Sequence, residues 1–120
     1  MIAGGLENDV LHGEDGHDTF WSGAGNDIVY GGAGNDLIYG SAGNDHFYGE
    51  AGADTFIFEP GWGVDEIMDF SFAEGDRLML SGQSYTIRDT AEGMALDLSA
   101  GGSVVLHGIE PSAFSAAFLL

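Results

Sequence analysis

A nine-residue unit is written six times, without a gap, between residues 4 and 57. The copies are GGLENDVLH (4–12), GEDGHDTFW (13–21), SGAGNDIVY (22–30), GGAGNDLIY (31–39), GSAGNDHFY (40–48) and GEAGADTFI (49–57). Position six is always aspartate (Asp9, Asp18, Asp27, Asp36, Asp45, Asp54), and position eight is always bulky and apolar (Leu11, Phe20, Val29, Ile38, Phe47, Phe56). Strand side chains alternate faces, so positions seven to nine predict a very short strand with its middle side chain inward. The other six residues make a turn, where glycine accepts positive φ and lets the backbone approach a ligand. So short a unit cannot bury its apolar residue alone, and neighbouring units must stack as a solenoid.

Two units, eighteen residues, complete one coil. Odd copies then stack in one parallel sheet and even copies in a second, with the position-eight side chains between them. Adjacent strands lie about 4.8 Å apart, which places Asp9, Asp27 and Asp45 in one column of carboxylates and Asp18, Asp36 and Asp54 in another. Charges at that spacing repel by about 1 kcal/mol in water, and by several times more at a protein-like dielectric. A hard dication removes the conflict: calcium takes six to eight oxygens at about 2.3–2.6 Å, and twice that distance is about the spacing between coils. Magnesium, which wants a tight octahedron and keeps its water, fits less well.

The unit resembles the RTX (haemolysin-type) calcium-binding nonapeptide G-G-x-G-x-D-x-U-x, and six consecutive copies make the match specific. The resemblance implies a right-handed, all-β parallel β-roll, with each ion held by turn carbonyls and by the aspartates of two turns eighteen residues apart. Carried over residue by residue, one ion uses Asp9 and Asp27 with carbonyls of Gly5, Glu7, Ser22 and Ala24. A second uses Asp27 and Asp45 with Gly23, Gly25, Gly40 and Ala42. On the other side, Asp18 and Asp36 act with Glu14, Gly16, Gly31 and Ala33, and Asp36 and Asp54 with Gly32, Gly34, Gly49 and Ala51. That makes about four full sites. Glu7 departs from the usual glycine at position four, which predicts a strained first turn or a weak ion there. Glu14 and Glu50 stand where glycine is commoner, and their carbonyls remain available.

The chain of 120 residues, with two basic against twenty acidic side chains, carries a formal charge of −18. That balance argues against nucleic acid or an anionic membrane as partner, since both reward Lys and Arg. Cysteine is absent, which excludes disulfides and thiolate metal sites. No run approaches the eighteen apolar residues of a membrane span, and no N-terminal secretory signal opens the chain. The RTX resemblance implies an extracellular protein of a Gram-negative bacterium, exported by type I secretion machinery on an uncleaved C-terminal signal. It also implies a catalytic or toxin domain upstream, making this chain the C-terminal part of a larger protein.

After Ile57 the pattern weakens. PGWGVDEIM (60–68) reads as a seventh copy that caps the stack or offers Asp65 to a further ion with Asp45. DEIMDFSFAEGDRLMLSG (65–82) resembles the D-x-I-x-D-F…G-x-D-x-L-x-L-S-G stretch that follows the repeats in many RTX exoproteins. Its Asp69 and Asp76 are candidates for an additional ion or for capping backbone amides in turns. Alternation then predicts antiparallel strands at 84–88, 94–98 and 103–107 that close the roll. The apolar tail 111–120 is where the resemblance places the secretion signal, and it also suits a short element packed on the core. The expected organisation is a roll over 1–68 and a cap over 69–120, in one continuous domain.

Positions seven and nine put Tyr30, Tyr48, Trp21 and Tyr39 on the outer faces. This predicts cover by the C-terminal segment or a missing domain, or else a carbohydrate-stacking surface. The four histidines (His12, His17, His46, His107) are scattered. Neither an H-E-x-x-H pair nor a G-x-S-x-G elbow occurs, so no catalytic constellation is legible. The leading expectation is a non-catalytic calcium module that folds on binding calcium and supports secretion and stability. The alternative is an accessory module of a mannuronan C5-epimerase that assists binding of an anionic, alginate-like polysaccharide.

Overall fold

The computed structural model describes residues 1–120. Each repeat turns its last three residues into a strand: β2 (Val10–His12), β4 (Ile28–Tyr30) and β6 (His46–Tyr48) from the odd copies, and β3 (Thr19–Gly23), β5 (Leu37–Tyr39) and β7 (Thr55–Ile57) from the even ones. Odd strands pair in parallel with odd, as in Val10↔Ile28, and even with even, as in Thr19↔Leu37. The eighteen-residue coil follows from that register. The middle residues Phe20, Val29, Ile38, Phe47 and Phe56 are all buried, in one core between the two sheets. The fold is therefore an all-β parallel solenoid, and its only helical segments are three short 3-10 turns.

Both sheets run beyond the repeats. Ile2–Gly5 forms β1, which pairs in parallel with β3, an element the opening residues alone do not announce. The seventh copy supplies β8 (Val64–Ile67), stacked on β6 with Ile67 in the core. Arg77–Met79 forms β9, which pairs with β7 and places Leu78 on Phe56. The order of the even sheet is thus β1-β3-β5-β7-β9. The extra residues before β8 and β9 lie in the turns, where lengthening disturbs no strand register.

The three expected C-terminal strands form as β10 (Tyr85–Asp89), β11 (Gly93–Leu98) and β12 (Ser103–His107). They are antiparallel to one another, and β12 joins β8 in parallel. The cap thus widens the odd sheet, bringing Met94, Leu96, Val104 and Leu106 into the core. The tail ends in two 3-10 turns, Pro111–Ala113 and Ala116–Phe118. Phe118 packs on Phe70, Phe72 and Phe114, and Leu119 bridges to Leu78.

The tail therefore does not cover the outer aromatics. These instead stack on one another, Trp21 on Tyr39 at 3.8 Å and His12, Tyr30 and Tyr48 in a ladder at 4.8 Å between ring centroids. Parallel register with identical spacing forces this, because equivalent side chains rise one above the next. Ring faces are consequently turned toward neighbouring rings.

Candidate metal centre

The aspartates form two ladders. The amide of Asp9 donates to Oδ1 of Asp27 (2.8 Å), that of Asp27 to Asp45 (2.7 Å), and that of Asp45 to Asp65 (3.0 Å). On the other side Asp18 donates to Asp36 (2.8 Å), Asp36 to Asp54 (2.9 Å) and Asp54 to Asp76 (2.8 Å). One oxygen of each upper carboxylate is thereby spent on the turn below it. Oδ2, the other oxygen of Asp27, Asp36, Asp45 and Asp54, is buried with no hydrogen-bond partner, as is Oδ2 of Asp9 and Asp18 at the foot of the columns. Those six residues are the position-six set.

Main-chain oxygens complete the surroundings. A methyl group added at Gly23, Gly25, Gly32, Gly34, Gly43 or Gly52 would meet, within 2.6 Å, the carbonyl oxygen of Gly5, Glu7, Glu14, Gly16, Gly25 or Gly34 respectively, one coil below. From above, the carbonyls of Ser22, Gly31 and Gly49 approach Gly4, Gly13 and Gly31 to 2.3, 2.5 and 2.8 Å on the same test. The Ala33 and Ala51 carbonyls accept from the amides of Gly16 and Gly34, and the Ala24 amide donates to Gly5. Gly23, Gly32, Gly40 and Ala42 hold the equivalent positions in their own turns. Each gap between stacked turns is thus lined by carboxylate and carbonyl oxygens, the hard donor set of calcium. No cluster of three or more His, Cys, Asp or Glu side chains stands apart as a metal site. The carboxylates are shared out in pairs along a column, and carbonyls supply the rest.

Left without a cation, this arrangement is electrostatically poor. Burial raises the pKa of Asp27 and pushes Asp36 to about 6, Asp45 to about 7 and Asp54 to about 8. The amide bond from below lowers each value, and repulsion from the next carboxylate raises it again. Asp65 rises to about 9 and Asp76 to about 6, also through burial.

Residues beyond the sixth copy are placed differently. Asp65 extends the odd column above Asp45. Asp69 accepts the amides of Gly49 and Glu50, both at 2.9 Å, and Asp76 accepts those of Asp54 and Ser71. Both carboxylates therefore cap turn amides.

A second ladder escaped the sequence reading. At position five, Asn8 accepts from the amide of Asn26, Asn26 from Asn44, and Asn44 from Val64; His17 accepts from Asn35, and Asn35 from Ala53. It runs upward while the aspartate ladder runs downward, so each turn is tied to its neighbours in both directions. Asparagine at position five in four of six copies was the available signal.

A solenoid whose turns pair buried carboxylates with carbonyl oxygens defines a repeat-built cation-binding module. The chain belongs to the family described as the RTX calcium-binding nonapeptide repeat (4 copies), whose model matches residues 1–29, 21–56 and 30–67, more than half of the chain. No curated protein matches it by sequence. Among solved structures it is similar to the AlgE6R3 subunit of the Azotobacter vinelandii mannuronan C5-epimerase, with 27% identity and a TM-score of 0.71 over 94% of this chain and 78% of that one. It is also similar to the AlgE6R2 subunit of that epimerase, again at 27% identity, with a TM-score of 0.69 over 99% and 91%. RTX repeats are typical of secreted bacterial proteins, and no helix here is long and apolar enough to cross a membrane.

Proposed function

We propose that this chain is a non-catalytic module that binds about four calcium ions between its stacked turns and folds because it binds them. The observation that carries this reading is the set of six buried, unpartnered Oδ2 atoms in two columns. Asp9/Asp27 and Asp27/Asp45 hold ions on one side, and Asp18/Asp36 and Asp36/Asp54 on the other, each with the turn carbonyls named above. Bound calcium supplies double positive charge and accepts six to eight oxygens. The aspartates orient through the amide bonds to Oδ1, and the glycines keep side chains out of the gaps. Asp65 with Asp45, and Asp76 with Asp54, are weaker candidate pairs, and Asp69 acts by holding its turn. The roll over 1–68, to whose even sheet β9 adds one more rung, and the cap over 69–120 fold as one continuous unit, with the cap shielding the end of the core.

Such a module leaves the cell unfolded where calcium is scarce and folds outside where it is plentiful. It thereby serves the type I export, folding and stability of the extracellular bacterial protein that carries it. A passenger fused ahead of the chain should leave a host that has a type I exporter; export unchanged after removal of residues 61–120 would oppose this role. Column sharing gives a sharper test by equilibrium dialysis. Asp36→Asn touches two sites and should lose about two ions, whereas Asp18→Asn should lose about one. Equal losses, or none, would refute the paired arrangement.

Similarity to the epimerase subunits favours one second reading, in which the module also assists polyuronate binding. Only Arg77 and Arg88 are basic, and Arg88 is engaged by Asp97 at 3.0 Å, so direct attraction to a polyanion is weak. Stacked ring faces also leave little platform for sugars. Calorimetry with alginate oligomers in calcium decides it: heat at micromolar to millimolar ligand supports the reading, and none removes it.

A further inference from the structure

Position one of the repeat is glycine in five copies and serine only at Ser22. A methyl group on Gly4, Gly13, Gly31 or Gly49 would stand 2.7, 2.8, 2.6 or 2.4 Å from Oδ2 of the aspartate in the same turn. At Gly13 and Gly31 it would also meet the position-one carbonyl of the next coil, at 2.5 and 2.8 Å. A side chain at this position therefore enters the gap between an aspartate and the turn above it. Ser22 is the one residue of the array that sends a polar side chain there. It is fully buried, and its Oγ has no hydrogen-bond partner. Asp27 Oδ2, the equivalent oxygen of the same turn, is buried and unpartnered as well. A hydroxyl oxygen and a carboxylate oxygen facing one buried gap, neither spent on a backbone partner, are the kind of hard oxygen donors that calcium takes.

We propose that the Ser22 hydroxyl is an additional, side-chain calcium ligand, peculiar to the Asp27/Asp45 site. The proposal rests on the calcium reading above and deepens it. A neutral oxygen adds coordination without adding charge, which suits an ion that takes up to eight ligands. Ser22 also turns its carbonyl toward Gly4, into the Asp9/Asp27 gap below. One residue thus touches two neighbouring sites, and fixing its hydroxyl in the upper one orders its carbonyl for the lower. The upper site fills first, and the Glu7-bearing turn fills after it.

The test uses Eu³⁺ in place of calcium on the whole chain, with excited-state lifetimes in H₂O and D₂O counting inner-sphere waters. Ser22→Gly restores the residue of the other five copies, so the turn itself is preserved. It should raise the bound water by about one per chain and weaken the earliest step of a calcium titration about three- to tenfold. Ser22→Ala, which keeps the Cβ and loses only the hydroxyl, should weaken that step as well. An unchanged water count and superimposable titrations for both variants would overturn the proposal while leaving the calcium sites standing. A wild-type chain that takes up neither Eu³⁺ nor Ca²⁺ would bring down the calcium reading itself.

Discussion

At the residue scale, position two of the turn sits at positive φ in every copy, including the non-glycine Glu14 (φ 67), Ser41 (φ 40) and Glu50 (φ 65). Such a backbone costs an L-residue about 1 kcal/mol or more, part of which glycine returns through its looser unfolded state. Glu50→Gly should therefore stabilise the calcium-bound fold slightly, by up to about 1 kcal/mol, read as a small rise of the thermal midpoint; a fall would show that Glu50 contributes something else. Position four is more demanding. Gly43 has φ 112, and a methyl group there would lie 1.9 Å from the Gly25 carbonyl oxygen. Gly43→Ala should cost at least about 2 kcal/mol in denaturant titrations with calcium present. Glu7, the exception at this position, does not adopt positive φ. Its turn thus follows a different course and avoids positive-φ strain at this residue.

At the scale of elements, the six repeat strands, their alternation between two sheets and their register were legible because side-chain period and repeat length leave one solution. The strand β9 was not. Its sequence, Arg77–Met79, follows a turn lengthened to a 22-residue step from β7, so it falls outside any nine-residue frame. Only the aspartate before it and the apolar residue at its middle betray another rung: Asp76 stacks on Asp54, and Leu78 on Phe56. The stacking of the outer aromatics was hidden for a related reason: a sequence shows that Tyr30 and Tyr48 share a face, but not that their rings lie one on the other. Leu78 is fully buried where roll, tail and cap meet. Leu78→Ala should destabilise the calcium-bound fold by about 2–5 kcal/mol; a loss under about 1 kcal/mol would mean that the tail repacks freely over β9.

At the scale of the whole molecule, a net charge of −18 is gathered partly into two buried columns, and pH must act with opposite sign with and without calcium. In the metal-free fold Asp36, Asp45, Asp54, Asp65 and Asp76 titrate above the ordinary 3.8, at about 6, 7, 8, 9 and 6 respectively. Folded values raised above unfolded ones stabilise fully below about pH 4, and that stabilisation is lost as pH rises through about 6 to 9. In chelator, β signal should therefore grow on acidification from pH 8 to pH 4. In calcium, protons compete for the same oxygens and stability should fall over that range. A common direction in both conditions would show that the columns do not carry the metal. The central claim, that calcium binding and folding are one event, is tested most directly by titrating the chelated chain with calcium while following far-UV circular dichroism, with magnesium as control. The account predicts a cooperative coil-to-β transition at about 10⁻⁴–10⁻³ M calcium and none with magnesium. A chain already rich in β-structure in chelator at neutral pH, and indifferent to calcium, would contradict it.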